Sequence, residues 1–217
     1  MEDWLNLSTL AVVKIILCFI GSYLIGSVST AVWAGKMLHG IDVRTQGSGN
    51  AGATNTIRVL GVKTGVIVMV IDVFKGWLAV ALTGYVLSVL LNDQQLVIVK
   101  IISGLFAVTG HIFPLYTGFR GGKGVATFVG VILALYPLAF FIVLVWFVIV
   151  FIATRYVSLG SVTGALLFPV IVVFILKEQN TALIVLSIII AVFIPLTHHK
   201  NIKRLIKGTE NKLYFKK

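Results

Sequence analysis

Long apolar runs separated by short polar stretches make up almost the whole chain, and most of the runs are long enough to cross a lipid bilayer. A membrane-spanning helix needs about 20 mainly apolar residues. The runs predict helices at residues 11–34, 64–91, 95–115, 124–135, 137–154, 158–176 and 180–196. The pattern therefore predicts an all-α, polytopic integral membrane protein in which residues 1–217 form a single domain.

The positions of the basic residues decide how the runs are counted. Lysine and arginine concentrate in the loop 36–63, in the loop 117–123 and in the tail after Thr197, and such segments stay in the cytoplasm. Dividing the run 124–153 at Pro137 places all three on the cytoplasmic side. Leaving that run whole puts the tail outside, and dividing the second run instead puts the 117–123 loop outside. We therefore predict about seven spans, with the N-terminus outside and the C-terminus cytoplasmic, and one of the two short pieces as a re-entrant or thin-membrane segment.

Composition supports a membrane protein and excludes several function classes. Hydrophobic residues make up 59% of the 217 residues and charged residues 12%, against about 45–50% and about 25% in soluble domains. The basic loops and tail explain the net charge of +11, so we predict no nucleic-acid partner. Cys18 is the single cysteine, which excludes a disulfide or a cysteine metal cluster; we predict no metal site and no cofactor. The first apolar run is long and ends at Lys36, which favours a span over a cleaved signal peptide.

The first polar motif is the glycine-rich stretch of residues 47–55, which Arg58 follows. We expect a short helix over residues 51–60 with Ser48 or Asn50 near its N-cap. Amides at a helix N-terminus bind anions, and Arg58 lies about two turns further on, where it can reach back to a phosphate. The G-x-G-x-x-G spacing does not indicate a dinucleotide fold, because no strand precedes it. The alternative is a flexible cytoplasmic loop with a helix cap.

The second motif, residues 118–127, places Lys123 within a run of glycines at the start of a helix. It is not a Walker A loop, because Gly124 stands where that loop needs a serine or threonine for magnesium. Free backbone amides and one point charge still favour a phosphate cradle. The alternative is a plain loop whose lysine sets the membrane topology.

The third motif, residues 198–204, emerges from the last apolar run. His198 and Asn201 are three residues apart and share a face of a predicted helix, turned toward the two glycine loops. The alternative is a basic helix that binds anionic lipid headgroups. The segment 158–161, Ser-Leu-Gly-Ser, begins another span and is a weaker signal, because small residues also mediate helix packing in membranes.

Few side chains offer acid–base chemistry. Asp72 and Lys75 are three residues apart within a span, and we interpret them first as a structural ion pair. His111 is expected to be a satisfied polar group at a helix end, and Asp42 is the one carboxylate expected near the cytoplasmic loops. The motifs therefore indicate a site that acts on anionic oxygens by electrostatics. The alternative function is an anion or phosphate-ester transporter, which the clustering of polar motifs on one side of the membrane disfavours.

Together these motifs resemble the bacterial acyl-phosphate:glycerol-3-phosphate acyltransferase family. The resemblance rests on GSGNAGATN with Arg58, the block from His111 to GGKGVAT, the SLGS segment and the closing HxxNIxRLxxGxE, and it covers nearly the whole chain. It implies a seven-helix enzyme of the bacterial cell (inner) membrane that transfers a fatty acyl group from acyl phosphate to the 1-hydroxyl of glycerol 3-phosphate. The products are lysophosphatidic acid and phosphate, at the first committed step of phospholipid synthesis. It also implies transient contact with the soluble enzyme that produces acyl phosphate.

The resemblance also assigns the site, which we expect at the cytoplasmic face. The residues predicted to be catalytic are Ser48, Arg58, Lys123, His198 and Asn201. The residues predicted to bind substrate are Gly47, Gly49, Asn50, Thr54, Asn55, Gly121, Gly122, Gly124 and Ser161. Ser158 is an alternative to Ser161 as the motif serine, and the spacing to Asn201 favours His198 over His199. Glycerol 3-phosphate is expected to supply its own base through a phosphate oxygen, and the acyl chain is expected in a groove between spans.

Overall fold

The computed structural model describes Trp4 and residues 7–214, and every regular element within them is helical. The α-helices of these residues are α1 Thr9–Gly26, α2 Thr30–His39, α3 Ala53–Leu60, α4 Val62–Leu87, α5 Asp93–Ile112, α6 Val125–Leu135, α7 Pro137–Thr154, α8 Val157–Val170, α9 Thr181–Thr197 and α10 His199–Ile206. Short 3-10 turns lie at Val43–Thr45 and Leu115–Thr117, and a π-helical turn, Ile171–Ile175, continues α8. The predicted all-α class is confirmed.

Several of these helices have the length and the apolar composition of membrane spans. In the described part of the chain, five segments pass this test: Thr9–His39, Val62–Leu87, Asp93–Thr117, Pro137–Thr154 and Val157–Ile175. Helices α9 and α10 pass it together, with a bend of 64° between them, and α6 is a shorter apolar helix. The chain is a multi-pass membrane protein, as predicted.

Pro137 divides the apolar run 124–153 into two helices, as predicted. Helix α6 ends at Leu135, and Tyr136 has φ −139° and ψ 67°, outside the helical region, before Pro137 opens α7. Proline has a fixed φ and no N–H, so it suits the first turn of a helix and disrupts the interior. The other ambiguous run forms α4, which is unbroken.

The first apolar run forms one candidate span, Thr9–His39, as predicted, but it is not one continuous helix. Helix α1 stops at Gly26, and α2 starts at Thr30. The interruption places the carbonyl of Val28 where it accepts a hydrogen bond from Lys75 Nζ at 2.9 Å. A buried ammonium is costly without such partners. A contact with a distant part of the chain therefore overrides the local helical pattern.

The charged residues of α4 form a buried cluster with groups from two other helices. Lys75 Nζ lies 2.8 Å from Asp72 Oδ1, and both side chains are buried. The same oxygen accepts a hydrogen bond from Thr30 Oγ1 at 3.2 Å and lies 3.6 Å from His111 Nδ1. Charges within a membrane are usually paired in this way. The predicted ion pair is confirmed, and His111, at the C-terminal end of α5, is a further member of the cluster.

Glycines let α4 and α6 pack with their backbones in contact. A Cβ at Gly76 would lie 2.1 Å from the Thr127 carbonyl oxygen, and a Cβ at Gly130 would lie 1.9 Å from the Val73 carbonyl oxygen. Small residues at helix crossings are typical of membrane proteins. This contact fixes the short α6 against the longer α4, and α6 begins directly after the loop that carries Lys123.

Candidate active site

The three polar motifs meet at one end of a cavity of about 680 Å³ that continues between α6, α7, α8 and α9. The predicted site residues that line it are Gly47, Ser48, Gly49, Asn50, Thr54, Asn55, Arg58, Lys123, Gly124, Ser161, His198 and Asn201. The remaining two, Gly121 and Gly122, do not line it. Segments that are far apart in sequence therefore form one polar surface.

Asn55 fixes the shape of the first glycine loop. Its Oδ1 accepts a hydrogen bond from the Ser48 N–H at 2.7 Å, and its Nδ2 donates to the carbonyl oxygens of Val43 at 2.8 Å and Gln46 at 3.1 Å. A Cβ at Gly47, which has φ +60°, would lie 2.3 Å from Asn55 Oδ1. The Asn55 amide, predicted to bind substrate, is therefore occupied within the loop and presents Ser48 to the cavity.

Helix α3 begins later than predicted and without a side-chain cap. It covers Ala53–Leu60, and its N-cap residue is Gly52. Ser48 and Asn50 lie shortly before this N-cap, and neither side chain caps the helix. Both side chains instead belong to residues on the cavity wall, where the hydroxyl and the amide can face a ligand.

Glu210 organises the polar end of the cavity. Its Oε1 accepts hydrogen bonds from Asn201 Nδ2 at 2.6 Å and Ser158 Oγ at 2.9 Å, and its Oε2 accepts from Arg204 Nε at 2.6 Å. Asn201 in turn accepts a hydrogen bond from the Lys123 ammonium through Oδ1. Burial alone would raise the pKa of Glu210, but these hydrogen bonds hold it below its usual value. The carboxylate is therefore an anchor rather than a proton acceptor.

Sequence reasoning gave Glu210 no role, although the closing motif HxxNIxRLxxGxE ends on it. A glutamate in a polar tail resembles any solvated charge, and only the fold shows that it is buried.

The two candidate motif serines, Ser158 and Ser161, have different hydrogen-bond partners in the structure. Ser158 bonds to Glu210, whereas Ser161 Oγ donates to the Val157 carbonyl oxygen at 3.0 Å. Both serines line the cavity, and the substrate-binding role of Ser161 stays a prediction.

The segment after α10 folds back over this polar end. The Leu213 N–H donates to the Arg155 carbonyl oxygen at 2.9 Å, and the Leu213 side chain is buried. Arg58 Nη2 donates to the Asn211 carbonyl oxygen at 3.2 Å. The segment thus connects α3, the junction between α7 and α8, and α10 around the cavity.

His198 lies at the junction of α9 and α10 and is buried. Its Nδ1 is 2.9 Å from the Ile194 carbonyl oxygen, which only accepts hydrogen bonds, so Nδ1 carries the proton. In the neutral ring Nε2 is then an acceptor, suited to a hydroxyl donor. His199 is exposed and turns Nδ1 to the Leu196 carbonyl oxygen at 2.9 Å.

The second glycine loop rests on the end of α5. The N–H of Gly121 donates to the Ile112 carbonyl oxygen at 3.0 Å, and the N–H of Gly122 donates to the His111 carbonyl oxygen at 3.2 Å. The expectation that these amides are free for a phosphate is therefore wrong. Gly124 has φ +78° and lines the cavity at the N-cap of α6.

Arg44 ties this loop to the polar segment that precedes it. Its Nη1 donates to the carbonyl oxygens of Thr117 at 2.8 Å and Arg120 at 3.0 Å. Asp42 Oδ2 lies 2.7 Å from Arg44 Nη2. Asp42, the carboxylate expected near the cytoplasmic loops, therefore orients Arg44 and does not line the cavity.

We expect Arg44→Ala to lower kcat/KM for acyl transfer about tenfold, because hydrogen bonds from a charged group are each worth about 1.5–3 kcal/mol. Arg44→Lys keeps the charge but loses the planar fork that reaches two carbonyls, so it should recover little activity. The exposed neighbour Lys36, replaced by alanine, is the control. Wild-type kinetics of Arg44→Ala would show that the loop holds its position without this clamp.

Positive charge dominates the polar end. The Lys123 ammonium lies near Arg58 and Arg204, with Glu210 as the opposing charge, and burial is the main reason that the pKa of Lys123 falls from 10.5 to about 8. Within the described residues, no group of three or more histidine, cysteine, aspartate and glutamate side chains is arranged to hold a metal ion. Several cations around few carboxylates favour an anionic ligand.

We expect the rate of acyl transfer to fall as the pH rises through about 8. Below that pH Lys123 is protonated and can bind an anion; above it the charge is lost. Lys123→Arg keeps its charge at any accessible pH, so whatever activity it retains should persist further into the alkaline range. Initial rates measured from about pH 6 to 10 test this. Identical alkaline limbs in the two proteins would assign the decline to another group.

The rest of the cavity is an apolar groove. Its walls include Phe128, Val143, Phe147, Phe168, Ile190 and Ile194. A Cβ at Gly160 would lie 2.8 Å from the Phe147 ring, and a Cβ at Gly164 would lie 3.2 Å from Val143 Cγ1. These glycines therefore let α7 and α8 pack closely beside the groove. The groove continues from the cationic end, so one cavity accommodates a molecule with an anionic head and an alkyl tail.

The fold and the site define an integral membrane protein that handles anionic amphiphiles. The sequence profile of the glycerol-3-phosphate acyltransferase family matches residues 16–208. The chain belongs to this family. It is 45% identical over 199 residues to a glycerol-3-phosphate acyltransferase of Fusobacterium nucleatum, covering 91% of this chain and 98% of the relative. It is 46% identical over 199 residues to glycerol-3-phosphate acyltransferase 2 of Bacillus anthracis, with the same coverage.

Solved structures show the same architecture. The crystal structure of PlsY (YgiH), an integral membrane glycerol 3-phosphate acyltransferase in its glycerol 3-phosphate form, superimposes with a TM-score of 0.81 at 34% identity, covering 92% of this chain and 96% of that one. Its lysophosphatidic acid form gives a TM-score of 0.78 at 33% identity, covering 93% and 96%. The family expected from the motifs is confirmed.

Proposed function

We propose that this acyltransferase takes its acyl group from acyl phosphate and transfers it to the 1-hydroxyl of glycerol 3-phosphate. One observation carries the proposal: a cationic pocket and an apolar groove are parts of the same cavity. A donor and a product that each join an alkyl chain to a phosphate fit this shape. The glycerol 3-phosphate and lysophosphatidic acid forms of the related structures support the acceptor and the product.

The chemistry needs little from the protein beyond placement and charge. The hydroxyl oxygen of glycerol 3-phosphate attacks the acyl carbon, the bond from that carbon to the phosphate oxygen breaks, and inorganic phosphate leaves with the bonding electrons. The hydroxyl proton passes to a phosphate oxygen of glycerol 3-phosphate and then to solvent. Because the mixed anhydride is already activated, orientation and charge neutralisation are the main contributions of the enzyme. Cys18 does not line the cavity, in keeping with a reaction that has no thioester intermediate.

The proposed roles follow from position. Arg58 and Lys123 neutralise the two phosphates, since both are cations on the cavity wall. His198 accepts a hydrogen bond from a glycerol hydroxyl through Nε2, and Asn201 fixes the Lys123 ammonium. The Ser48 hydroxyl, held by the loop that Asn55 organises, donates to a phosphate oxygen.

The proposed topology has seven spans, with the N-terminus outside and the C-terminus in the cytoplasm of a bacterial inner membrane, and residues 1–217 form one domain. The five long segments, the bent pair α9–α10 and the short α6 are its candidate spans. The basic loops support the orientation. Acyl phosphate then reaches the site from the cytoplasmic side, where the soluble enzyme that makes it can contact the protein transiently.

A labelling experiment tests this topology. We expect a cysteine placed at Gly118, in a background where Cys18 is replaced by serine, to resist membrane-impermeant thiol reagents in whole cells and to react after lysis. Gly118 is exposed and has φ +72°, so a cysteine there strains the backbone. A second cysteine variant, at the exposed Arg120, shows whether this strain affects the result. Labelling of both positions in intact cells would contradict the seven-span arrangement.

The donor is tested directly on detergent-purified protein. Glycerol 3-phosphate is supplied with palmitoyl phosphate, with palmitoyl-CoA or with no donor, and phosphate and lysophosphatidic acid are measured. We expect equal amounts of both products with palmitoyl phosphate and neither without a donor. Product with palmitoyl-CoA alone would overturn the proposed donor but not the acyltransferase activity. Folded protein that is inactive with both donors would reopen the transporter alternative and make an uptake assay the next step.

A further inference from the structure

Gly122 lies where the two glycine loops meet, between a ring and a carbonyl group. A Cβ on Gly122 would be 2.2 Å from His111 Nε2 on one side and 3.1 Å from the Ala51 carbonyl oxygen on the other. A Cβ on Gly121 would be 1.9 Å from the His111 carbonyl oxygen. Residues 121 and 122 are thus in direct contact with His111, and Lys123 is the next residue.

The charged cluster of α4 contacts His111 through Nδ1, the ring nitrogen that does not face Gly122. Its Nδ1 is 3.6 Å from Asp72 Oδ1, and the His111 side chain is buried. Asp72 is fixed by Lys75, whose ammonium also binds the carbonyl oxygen of Val28. The ring therefore cannot move without disturbing a buried ion pair, which is costly in a low-dielectric environment. A rigid element within the membrane is thereby connected to the loop at the surface.

We propose that His111 is a positioning residue for acyl transfer: its ring, backed by Asp72, sets where the 118–124 loop meets the 47–52 loop and so places the Lys123 ammonium against Asn201. Gly122 transmits this position because it has no side chain to separate the loop from the ring. The proposal rests on the proposed role of Lys123 in acyl transfer. A buried charged cluster that stabilises only the helix bundle would not need contact with the two glycines.

A double-mutant cycle tests the contact. We expect His111→Ala and Gly122→Ala each to lower kcat/KM for glycerol 3-phosphate by about tenfold to a hundredfold, since small displacements at a reaction centre have effects of this size. Because both changes disrupt one contact, the double variant should lose little more than the worse single variant. Thr109→Ala, at an exposed position of the same helix, is the matched control and should behave as wild type. Multiplicative losses in the double variant would overturn the proposal.

The pKa of Lys123 reports its position without an activity assay. Competitive labelling of amines at a series of pH values, with the Lys123 peptide quantified by mass spectrometry, gives the pKa of Lys123, which is about 8 in the folded protein. The ionisable groups that face it are Arg58, His198, Arg204 and Glu210. We expect His111→Ala to raise this pKa toward that of an ordinary lysine, because the displaced ammonium becomes more solvated.

Two further variants separate a positioning role from a structural one. His111→Gln can place its side-chain amide where Nε2 lies, so it should keep the contact with Gly122 and restore part of the activity; equal activity of the alanine and glutamine variants would overturn the proposal. An unchanged pKa of Lys123 in folded His111→Ala would also overturn it. If the wild type fails to use acyl phosphate while the pKa shift is observed, the proposed function fails and the positioning role stands.

Discussion

Lys123→Met will reduce kcat/KM for acyl transfer by about a hundredfold or more, because removing one preorganised charge from an oxyanion site typically costs 10²–10³-fold. Methionine has a similar length and no charge. The Lys123 ammonium donates a hydrogen bond to Asn201 and lines, together with Arg58, the part of the cavity assigned to phosphate. Two phosphates approach each other during the reaction, so repulsion between them grows when the ammonium is absent.

The measurement is a full kinetic comparison with palmitoyl phosphate and glycerol 3-phosphate varied in turn. A loss confined to KM would mean that the ammonium binds ground state and transition state equally, and a loss in kcat would mean that it acts on the transition state. Lys203→Met removes an exposed charge from α10, outside the cavity, and controls for the change in net charge. A Lys123→Met enzyme within about threefold of wild type would remove Lys123 from the proposed machinery.

Gly164→Leu will reduce kcat/KM for palmitoyl phosphate by about tenfold to a hundredfold, the range in which apolar pockets discriminate between chains of different size. A Cβ at this position would lie 3.2 Å from Val143 Cγ1, and both residues line the groove, so a branched side chain crowds it. Residues near Phe168 line the groove further along α8, and a long alkyl chain must pass Gly164 to reach them. A much shorter chain need not pass it, so a donor with such a chain should be less affected.

The selectivity between donors is therefore the informative quantity. The ratio of kcat/KM for palmitoyl phosphate to that for octanoyl phosphate should fall in Gly164→Leu and stay constant in Leu166→Phe, a change on the exposed face of the same helix. An equal loss with both donors would place the alkyl chain elsewhere. Stability in detergent is measured alongside, because overpacking between α7 and α8 also destabilises the fold.

Much of the fold could be predicted because it depends on local properties of the chain. Apolar length defines the spans, and the break at Pro137 follows from the missing N–H of proline. The interruption between Gly26 and Thr30 could not be predicted in this way. It leaves the carbonyl oxygen of Val28 free to accept a hydrogen bond from Lys75. Lys75 is far along the chain, so the local sequence pattern does not predict this contact.

The candidate site, too, could be predicted from the sequence only in part. Glycine-rich polar motifs in an apolar chain indicated which segments meet, and the structure brings them to one cavity. The tasks of individual residues depend on partners that only the fold supplies: Asn55 supports the loop from within, and Gly121 packs on α5. Glu210 was missed because a carboxylate at the end of a basic tail has no periodicity that distinguishes it from a solvated residue.

The return of the C-terminal segment onto α3 and α8 has a consequence for biosynthesis. Residues 47–58 and Lys123 emerge from the ribosome well before Asn201, Glu210 and Leu213. The pocket is therefore incomplete until this segment has been synthesised and has docked through its contacts with Arg58 and Arg155. A chain that still lacks this segment has its apolar helices but not the carboxylate of Glu210 that anchors Asn201 and Ser158.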